Sequence, residues 1–353
     1  MTPIKVLVVD DSALMRKHLC VLLQGAGFQV EIARNGQEAV EQVLSWQPDV
    51  VTLDVNMPEI DGLTALSLIM AARPTPVVMV SSLTTKGAMA TLEALALGAV
   101  DYVPKPGGTI SLSMEVVAEE LLSKVKAAAK ARPRPATKGQ LAERRGRDRV
   151  PAMKAKSAPR ARDGAGLVLI GVSTGGPRTL EEILPELPAD FPWPLLVVQH
   201  MPPNFTSAFA ARLSKLCTLQ VKEVSKVEEI ETGVIYLARG GTDMVVGERI
   251  GKLVVMPRPE SPNHLWHPSV DLLVESAMTH VPAQRLIGVQ LTGMGYDGAK
   301  SMAELKGKGG RTIAEAEETA VVFGMPKELI ERSGATLVLP SYKIAPQLVH
   351  WVN

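Results

Sequence analysis

Residues 4–12 read IKVLVVDDS. A short apolar run ends abruptly in two carboxylates and a serine. The run is one strand long and has no polar face, as expected of a strand covered on both sides in a parallel sheet. Ser12 is placed to cap a helix, and ALMRKHLCVLLQ keeps the helical spacing up to Gly25 and Gly27. The rhythm repeats outward. FQVEIA (28–33), VVTL (50–53), PVVMVS (76–81) and DYV (101–103) are further candidate strands. NGQEAVEQVLSW and GLTALSLIMAA are helical stretches between them. Five βα units in about 120 residues predict a doubly wound, flavodoxin-like parallel sheet.

Ligands of such sheets bind at the carboxyl ends of the strands. That edge gathers Asp10 and Asp11 after the first strand, Asp54 after the third, Ser81 after the fourth and Lys105 after the fifth. Three crowded carboxylates repel one another. A hard cation with oxygen ligands, such as Mg²⁺, relieves the repulsion and bridges an incoming phosphoryl group. Asp54 then reads as a nucleophile toward a phosphoryl donor, with Lys105 and the Ser81 hydroxyl on the equatorial oxygens. Taken singly, each acid reads as a helix cap; the complete set at the right strand ends points to phosphoryl chemistry.

A second α/β region opens at LVLIGV (167–172), followed by Ser173-Thr174-Gly175-Gly176. PLLVVQH (194–200), GVIYLA (233–238), KLVVM (252–256) and RLIGVQLT (285–292) read as strands. TLEEILPEL, FTSAFAARLSKL and SVDLLVESAMTH read as helices. The expectation is a second doubly wound parallel sheet of Rossmann-like type. Ser173 sits at a strand-to-helix turn, where the N–H groups of the turn can face an oxyanion. A serine hydroxyl needs a base, and His200 ends the next strand. The base needs an orienting group, and Asp297 follows a later strand in LTGMGYDGA. The separate readings are humbler: Ser173 as a helix cap, His200 bonded to backbone, and Asp297 as a cap for GAKSMAEL.

Two other patterns compete. Gly293-Met294-Gly295-Tyr296-Asp297-Gly298 matches a dinucleotide-binding loop, with Glu315, Glu317 and Glu318 about 20 residues on. Against it, Asp297 would face the pyrophosphate. His264-Leu265-Trp266-His267-Pro268-Ser269-Val270-Asp271 holds a possible metal pair, but Ser269 and Asp271 fall where a helix starts and read better as caps.

Residues 131–163 have no apolar period and four prolines, with 11 Lys/Arg against three Asp/Glu. They read as a solvated tether. The resulting division is a first domain at 1–125, a basic linker at 126–165 and a second domain at 166–353. The net charge of the whole chain is only +1, which argues against a chain built for nucleic acid. No helix-turn-helix pattern follows the first domain. No run is long enough to span a membrane, and the N-terminus lacks a signal-peptide layout, so a cytoplasmic protein is expected. Cys20 and Cys217 are too few and too far apart for a disulfide framework or zinc site, and both read as small buried hydrophobes.

Residues 1–125 closely resemble the response-regulator receiver family, through VVDDSALMR, LDVNMPEIDGL, VMVSS and DYVPKP. The resemblance implies Asp54 as phosphoacceptor and Asp10, Asp11, Asp54 and the Asn56 carbonyl around Mg²⁺. It also implies Ser81, Tyr102 and Lys105 as the phospho-switch. Residues 166–350 resemble the catalytic domain of protein-glutamate methylesterases, the CheB family of bacterial chemotaxis. IGVSTGGP, VVQHMPPNFT, LARGGTDM, PSVDLL, LTGMGYDGA and ETAVVFGMP carry this resemblance. It implies Ser173 as nucleophile, His200 as general acid/base, Asp297 as orienting carboxylate, and Thr174 and Met294 as shapers of the site.

The implied substrates are glutamyl methyl esters of methylated chemoreceptors, and receptor glutamines by deamidation. A chemotaxis histidine kinase is the implied phosphodonor, and the esterase half needs no cofactor. The unphosphorylated receiver is expected to mask the esterase. Val172, Tyr296 and His267 stand where the family more often has alanine, asparagine and arginine, which bears on receptor choice and rate. The competing functions are the same chemistry in a pathway other than chemotaxis, a nucleotide-binding signalling module, and a DNA-binding response regulator.

Overall fold

The apolar runs of the first half form strands buried along most of their length, except Gln29–Ala33 at the sheet edge, where only Ala33 is buried. The structure is a computed structural model and describes residues 3–81, 84–105, 111–131 and 166–352. The first unit alternates β1 (Lys5–Val9), α1 (Ala13–Gly25), β2 (Gln29–Ala33), α2 (Gly36–Ser45), β3 (Val50–Asp54), α3 (Gly62–Ala72), β4 (Val77–Ser81), α4 (Thr85–Leu97), β5 (Asp101–Pro104) and α5 (Ser111–Ala128). The strands are parallel, in the order β2-β1-β3-β4-β5. The order reverses between β1 and β3, so the edge above those two strands is the binding crevice. Val6, Leu7, Val8, Val77, Val78 and Met79 are fully buried. Each such side chain contributes about 1.5–3 kcal/mol by leaving water.

Local chemistry sets the helix starts. The Ser12 hydroxyl accepts from the Met15 amide, the Asn35 side chain from Glu38, and the Asp61 carboxylate from Thr64. Each side chain satisfies an orphan donor of a first turn. The expected basic linker lies outside the described residues from 132 to 165, and α5 runs on to Ala128.

The second unit has a seven-stranded parallel sheet in the order β15-β14-β13-β6-β7-β10-β8. Its strands are β6 (Leu167–Val172), β7 (Leu195–Gln199), β8 (Gln220–Val224), β10 (Val234–Ala238), β13 (Leu286–Gln290), β14 (Arg311–Glu315) and β15 (Leu337–Leu339). The helices are α6 (Gly176–Ile183), α7 (Pro203–Leu216), α8 (Val270–His280), α9 (Ala299–Gly307), α10 (Met325–Glu331) and α11 (Ser341–Val352). From β6 the chain moves to β7 on one side, and β13 later fills the other. The switch point of this sheet therefore lies at the end of β6, where Ser173 follows.

One expected strand belongs elsewhere. KLVVM lies in β12 (Lys252–Arg258), which pairs antiparallel with β11 (Asp243–Arg249) and β9 (Glu228–Glu229) in a separate small sheet. Only Ile250 and Gly251 separate β11 from β12, and two residues can join only antiparallel neighbours. The second domain is thus a parallel sheet with an added antiparallel one. β14 escaped the sequence reading because RTIAE is polar. Thr312 and Glu315 are nonetheless fully buried, each satisfied by neighbours such as the Gly334 carbonyl and the Thr292 amide.

Both cysteines are free; Cys217 is buried, but Cys20 is only half-buried, contrary to expectation. Burial pushes the Cys217 thiol up to about 12, so it stays protonated and unreactive.

Candidate active site and phosphoacceptor pocket

In the first unit, Asp10 and Asp54 are buried and Asp11 is exposed. One carboxylate oxygen from each lies within 4.8 Å of the others. Lys105 Nζ reaches both buried acids, 2.9 Å from Asp10 Oδ2 and 2.8 Å from Asp54 Oδ2. Burial raises the Asp54 carboxyl above its ordinary value, and the Lys105 ammonium offsets only part of that rise. The two carboxylates outweigh burial at Lys105 and hold its ammonium charged. An all-oxygen, anionic, half-open cluster of this kind suits a hard divalent cation.

Two amides complete the pocket's floor. Asn56 N donates to Asp54 Oδ1 at 3.3 Å, and Ser12 N donates to Asp10 Oδ1 at 2.9 Å. Gly62 packs on the same strand end: a Cβ there would come 2.0 Å from the Asp54 carbonyl oxygen. Ser81 is buried, its hydroxyl 3.4 Å from the Gly87 carbonyl. Tyr102 is also buried, with Lys124 Nζ 4.9 Å from its ring centre. Burial drives its phenol well above the ordinary range.

In the second unit, parallel pairing brings the nucleophile candidate and its base together. Val172 registers with Gln199, so Ser173 and His200 follow as neighbours on adjoining strands. The His200 amide extends the ladder by donating to the Val172 carbonyl at 3.1 Å. On the other side, Ser173 N donates to the Thr292 carbonyl at 3.0 Å, and Gly293 presses so close that a Cβ would meet Ser173 Cβ at 2.7 Å. Ser173 is not a helix cap: Gly175 holds that position, with no side-chain cap bond.

His200 Nε2 lies 2.9 Å from Asp297 Oδ2. Asp297 is almost fully buried. Burial alone would raise its carboxyl. The hydrogen bond and charge of His200, with the amides of Val270 and Asp271, outweigh burial and hold it below the ordinary range. An ionised carboxylate only accepts, so Nε2 carries the hydrogen. In the neutral ring Nδ1 is then the free base. It is buried and has no hydrogen-bond partner among the described residues.

Several contacts within the site carried no signal in the sequence. Ser269 caps α8 as expected, accepting from Leu272 N, but its hydroxyl also donates to Asp297 Oδ1 at 3.1 Å. Asp297 does not cap its own helix; Gly298 takes that position. Gln199 Nε2 donates to the carbonyls of Ser173 and His200, each at 3.0 Å. Gln290 Nε2 donates to the Asp297 carbonyl at 2.8 Å. The Thr292 hydroxyl donates to the carbonyl of the buried Thr174 at 2.9 Å. Met294 is half-buried in the loop between Gly293 and Asp297.

Two amides expected to face an oxyanion are engaged elsewhere: Ser173 N with Thr292, and Gly176 N with the Ser173 carbonyl at 2.8 Å. An oxyanion would have to be held by donors other than these two. The dinucleotide pattern dissolves as well. Asp297 is held by His200, and the Glu315 carboxylate accepts from Thr292 N and the Thr319 hydroxyl. The suspected metal pair separates too. His264 Nδ1 lies 3.0 Å from Ser261 Oγ, while His267 Nδ1 lies 3.1 Å from buried Asp243.

The family model described as CheB methylesterase matches residues 168–348, and that of the response regulator receiver domain matches residues 6–116. The chain belongs to the CheB methylesterase family. A protein-glutamate methylesterase/protein-glutamine glutaminase from Rhodospirillum rubrum is 56% identical, over 99% of this chain and 96% of that protein. One of the same name from Archaeoglobus fulgidus is 45% identical, over 99% of this chain and 98% of its own length. The catalytic domain of the CheB methylesterase of Thermotoga maritima is 43% identical with a TM-score of 0.52. It covers 53% of this chain and 99% of its own. The family thus joins a receiver to a hydrolase, as this chain does. No helix among the described residues is long and apolar enough to cross a membrane.

Proposed function

We propose that this chain hydrolyses glutamyl methyl esters on methylated chemoreceptors, and deamidates receptor glutamines, under control of phosphorylation at Asp54. Its layout is a receiver at 1–125, a basic linker at 126–165 and an esterase at 166–353, working in the cytoplasm. The observation that carries the chemistry is the 2.9 Å pair of His200 Nε2 and Asp297 Oδ2, with His200 on the strand end beside Ser173. The names and full-length match of the relatives supply the substrate class.

In the reaction, His200 Nδ1 takes the Ser173 proton as Oγ bonds to the ester carbonyl carbon. The carbonyl electrons move to its oxygen, and their return expels methoxide, which leaves as methanol with the proton from Nδ1. Water then attacks the glutamyl-serine ester, again losing its proton to Nδ1. Ser173 departs and regains that proton, leaving a free glutamate. For glutamine, ammonia is the first leaving group. Asp297 stays ionised throughout and steadies the imidazolium. Thr174 and Met294 shape the walls.

In the receiver, Asp10, Asp11, Asp54 and the Asn56 carbonyl would hold Mg²⁺, which neutralises phosphoryl charge when bound. The Asp54 carboxylate attacks the phosphorus of a chemotaxis histidine kinase's phosphohistidine, and the P–N bond breaks with its electron pair returning to the kinase imidazole. Lys105 and Ser81 take the phosphoryl oxygens, and Ser81 with Tyr102 carries the change onward.

The test is release of labelled methanol from methylated receptors, with and without a phosphodonor. Ser173→Ala abolishes release while the fold survives, and the phosphodonor raises release by the parent chain. Turnover by the alanine variant sinks the triad. A parent indifferent to phosphodonor sinks the control.

A further inference from the structure

One hydrogen bond to Asp297 fixes one edge of the His200 ring but not its plane, because rotation about the Cβ–Cγ bond of histidine is soft. The plane is set by another contact. The indole of Trp266 lies parallel to the imidazole, with ring centres 5.8 Å apart and 4° between planes. The indole is itself clamped. Tyr296 meets it edge-on, at 4.9 Å and 88°. Gly295 packs so tightly against it that a Cβ there would lie 2.7 Å from Trp266 Cζ2. Tyr296 and Gly295 directly precede Asp297 in the chain. The indole therefore joins the loop that carries Asp297 to the ring that Asp297 orients.

We propose that Trp266 is a positioning residue for the hydrolysis. Its clamped face holds the His200 ring in the plane that keeps Nε2 on Asp297 and leaves Nδ1 unbonded, available to take the Ser173 proton. The proposal rests on the reading of His200 as the proton carrier. The geometry has a second consequence. When His200 takes the Ser173 proton it becomes a cation beside an aromatic face within about 6 Å, a distance at which cation–π attraction acts. That attraction is stronger after proton transfer than before, so it lowers the barrier rather than the ground state. Removing the face should therefore lower kcat and leave KM nearly untouched.

The experiment uses the full-length phosphorylated chain and methylated receptors. It compares Trp266→Leu and Trp266→Met, which fill space without an aromatic face, with Trp266→Phe, which restores one. The indole is half-buried at the domain surface, so thermal unfolding serves as the check that each variant folds. The expected result is a roughly 3- to 30-fold lower kcat in the Leu and Met variants, the range a cation–π contact gives, with KM within twofold. Trp266→Phe is expected to recover most of the loss. A kcat within twofold of the parent in both apolar variants overturns the proposal. So does a change confined to KM, which would make Trp266 a substrate contact, or an equal loss in the Phe variant. Ser173→Ala run beside them separates the two readings. If it remains active, the triad has failed; if it is dead while the Trp266 variants are normal, only this inference has failed.

Discussion

Asp297 Oδ2 accepts from the Val270 amide at 2.7 Å, and Val270 is the first residue of a helix from another part of the chain. The Asp271 amide adds a bond to Oδ1 at 3.0 Å. The Asp297 carboxylate thus sits at the positive end of α8, where a negative charge is stabilised. Asp297→Asn would turn an amide NH₂ or a weaker acceptor toward these donors and lose the tautomer that frees Nδ1. The expected loss in kcat is about 10³- to 10⁴-fold, as in other triads, measured by methanol release. Ser269→Ala removes one bond to Asp297 and the cap of α8. Its expected cost is about 1 kcal/mol of stability, read by denaturant unfolding, with a smaller loss of rate.

The same carboxylate makes the second domain acid-sensitive. Its folded value lies below the ordinary 3.8. The folded form thus binds its proton less readily than the unfolded chain does. The stability it contributes is complete above the unfolded value and is lost as pH falls through the lower folded one. In acid unfolding, the parent is expected to lose stability below about pH 4 more steeply than Asp297→Asn.

Asp54 has the opposite sign. Burial raises its folded value, so the folded receiver is favoured at low pH and loses that advantage as pH rises through the raised value. At neutral pH the buried charge is a cost that Lys105 only partly offsets. Asp54→Asn is expected to raise the melting temperature of the receiver by about 4 °C while abolishing phosphorylation. Calorimetry and phosphotransfer check the two arms.

Gln199 ties Ser173 and His200 together through their backbones. Gln199→Leu keeps the bulk but strips one donor from each of two part-buried carbonyls; that of Ser173 keeps its bond from Gly176 N, whereas that of His200 loses the Gln199 bond. An unsatisfied buried acceptor costs about 1–3 kcal/mol. Loss of stability on that scale, with kcat reduced more than KM rises, is the expected outcome in unfolding and kinetic measurements.

Gly293 can lie against Ser173 only because it lacks a side chain. In Gly293→Ala the new Cβ would lie 2.7 Å from Ser173 Cβ and 2.4 Å from Met325 Sδ. Methionine can move, but Ser173 cannot without leaving its register. A folded protein with at least tenfold lower esterase activity is expected.

The candidate site residues were legible because most of them follow directly on a buried apolar strand, and parallel strands align their carboxyl ends. Asp10, Asp54 and Lys105 meet for that reason, as do Ser173 and His200. Polar strands such as RTIAE gave no such signal, since their burial depends on partners supplied from elsewhere. Ser269 showed its cap role, which is local, but not its bond to Asp297, 28 residues away.

The sequence by itself determined two wound sheets and singled out the acidic set of the first sheet and the candidates Ser173, His200 and Asp297 of the second. Strand periodicity and strand-end position are local properties, so a linear reading can reach them. Only the tertiary structure decided what holds those residues in place. The helix end beneath Asp297, the Gln199 brace and the Trp266 face are contacts between segments far apart in the chain. Their geometry depends on how loops pack over the sheet edge, which no local pattern encodes.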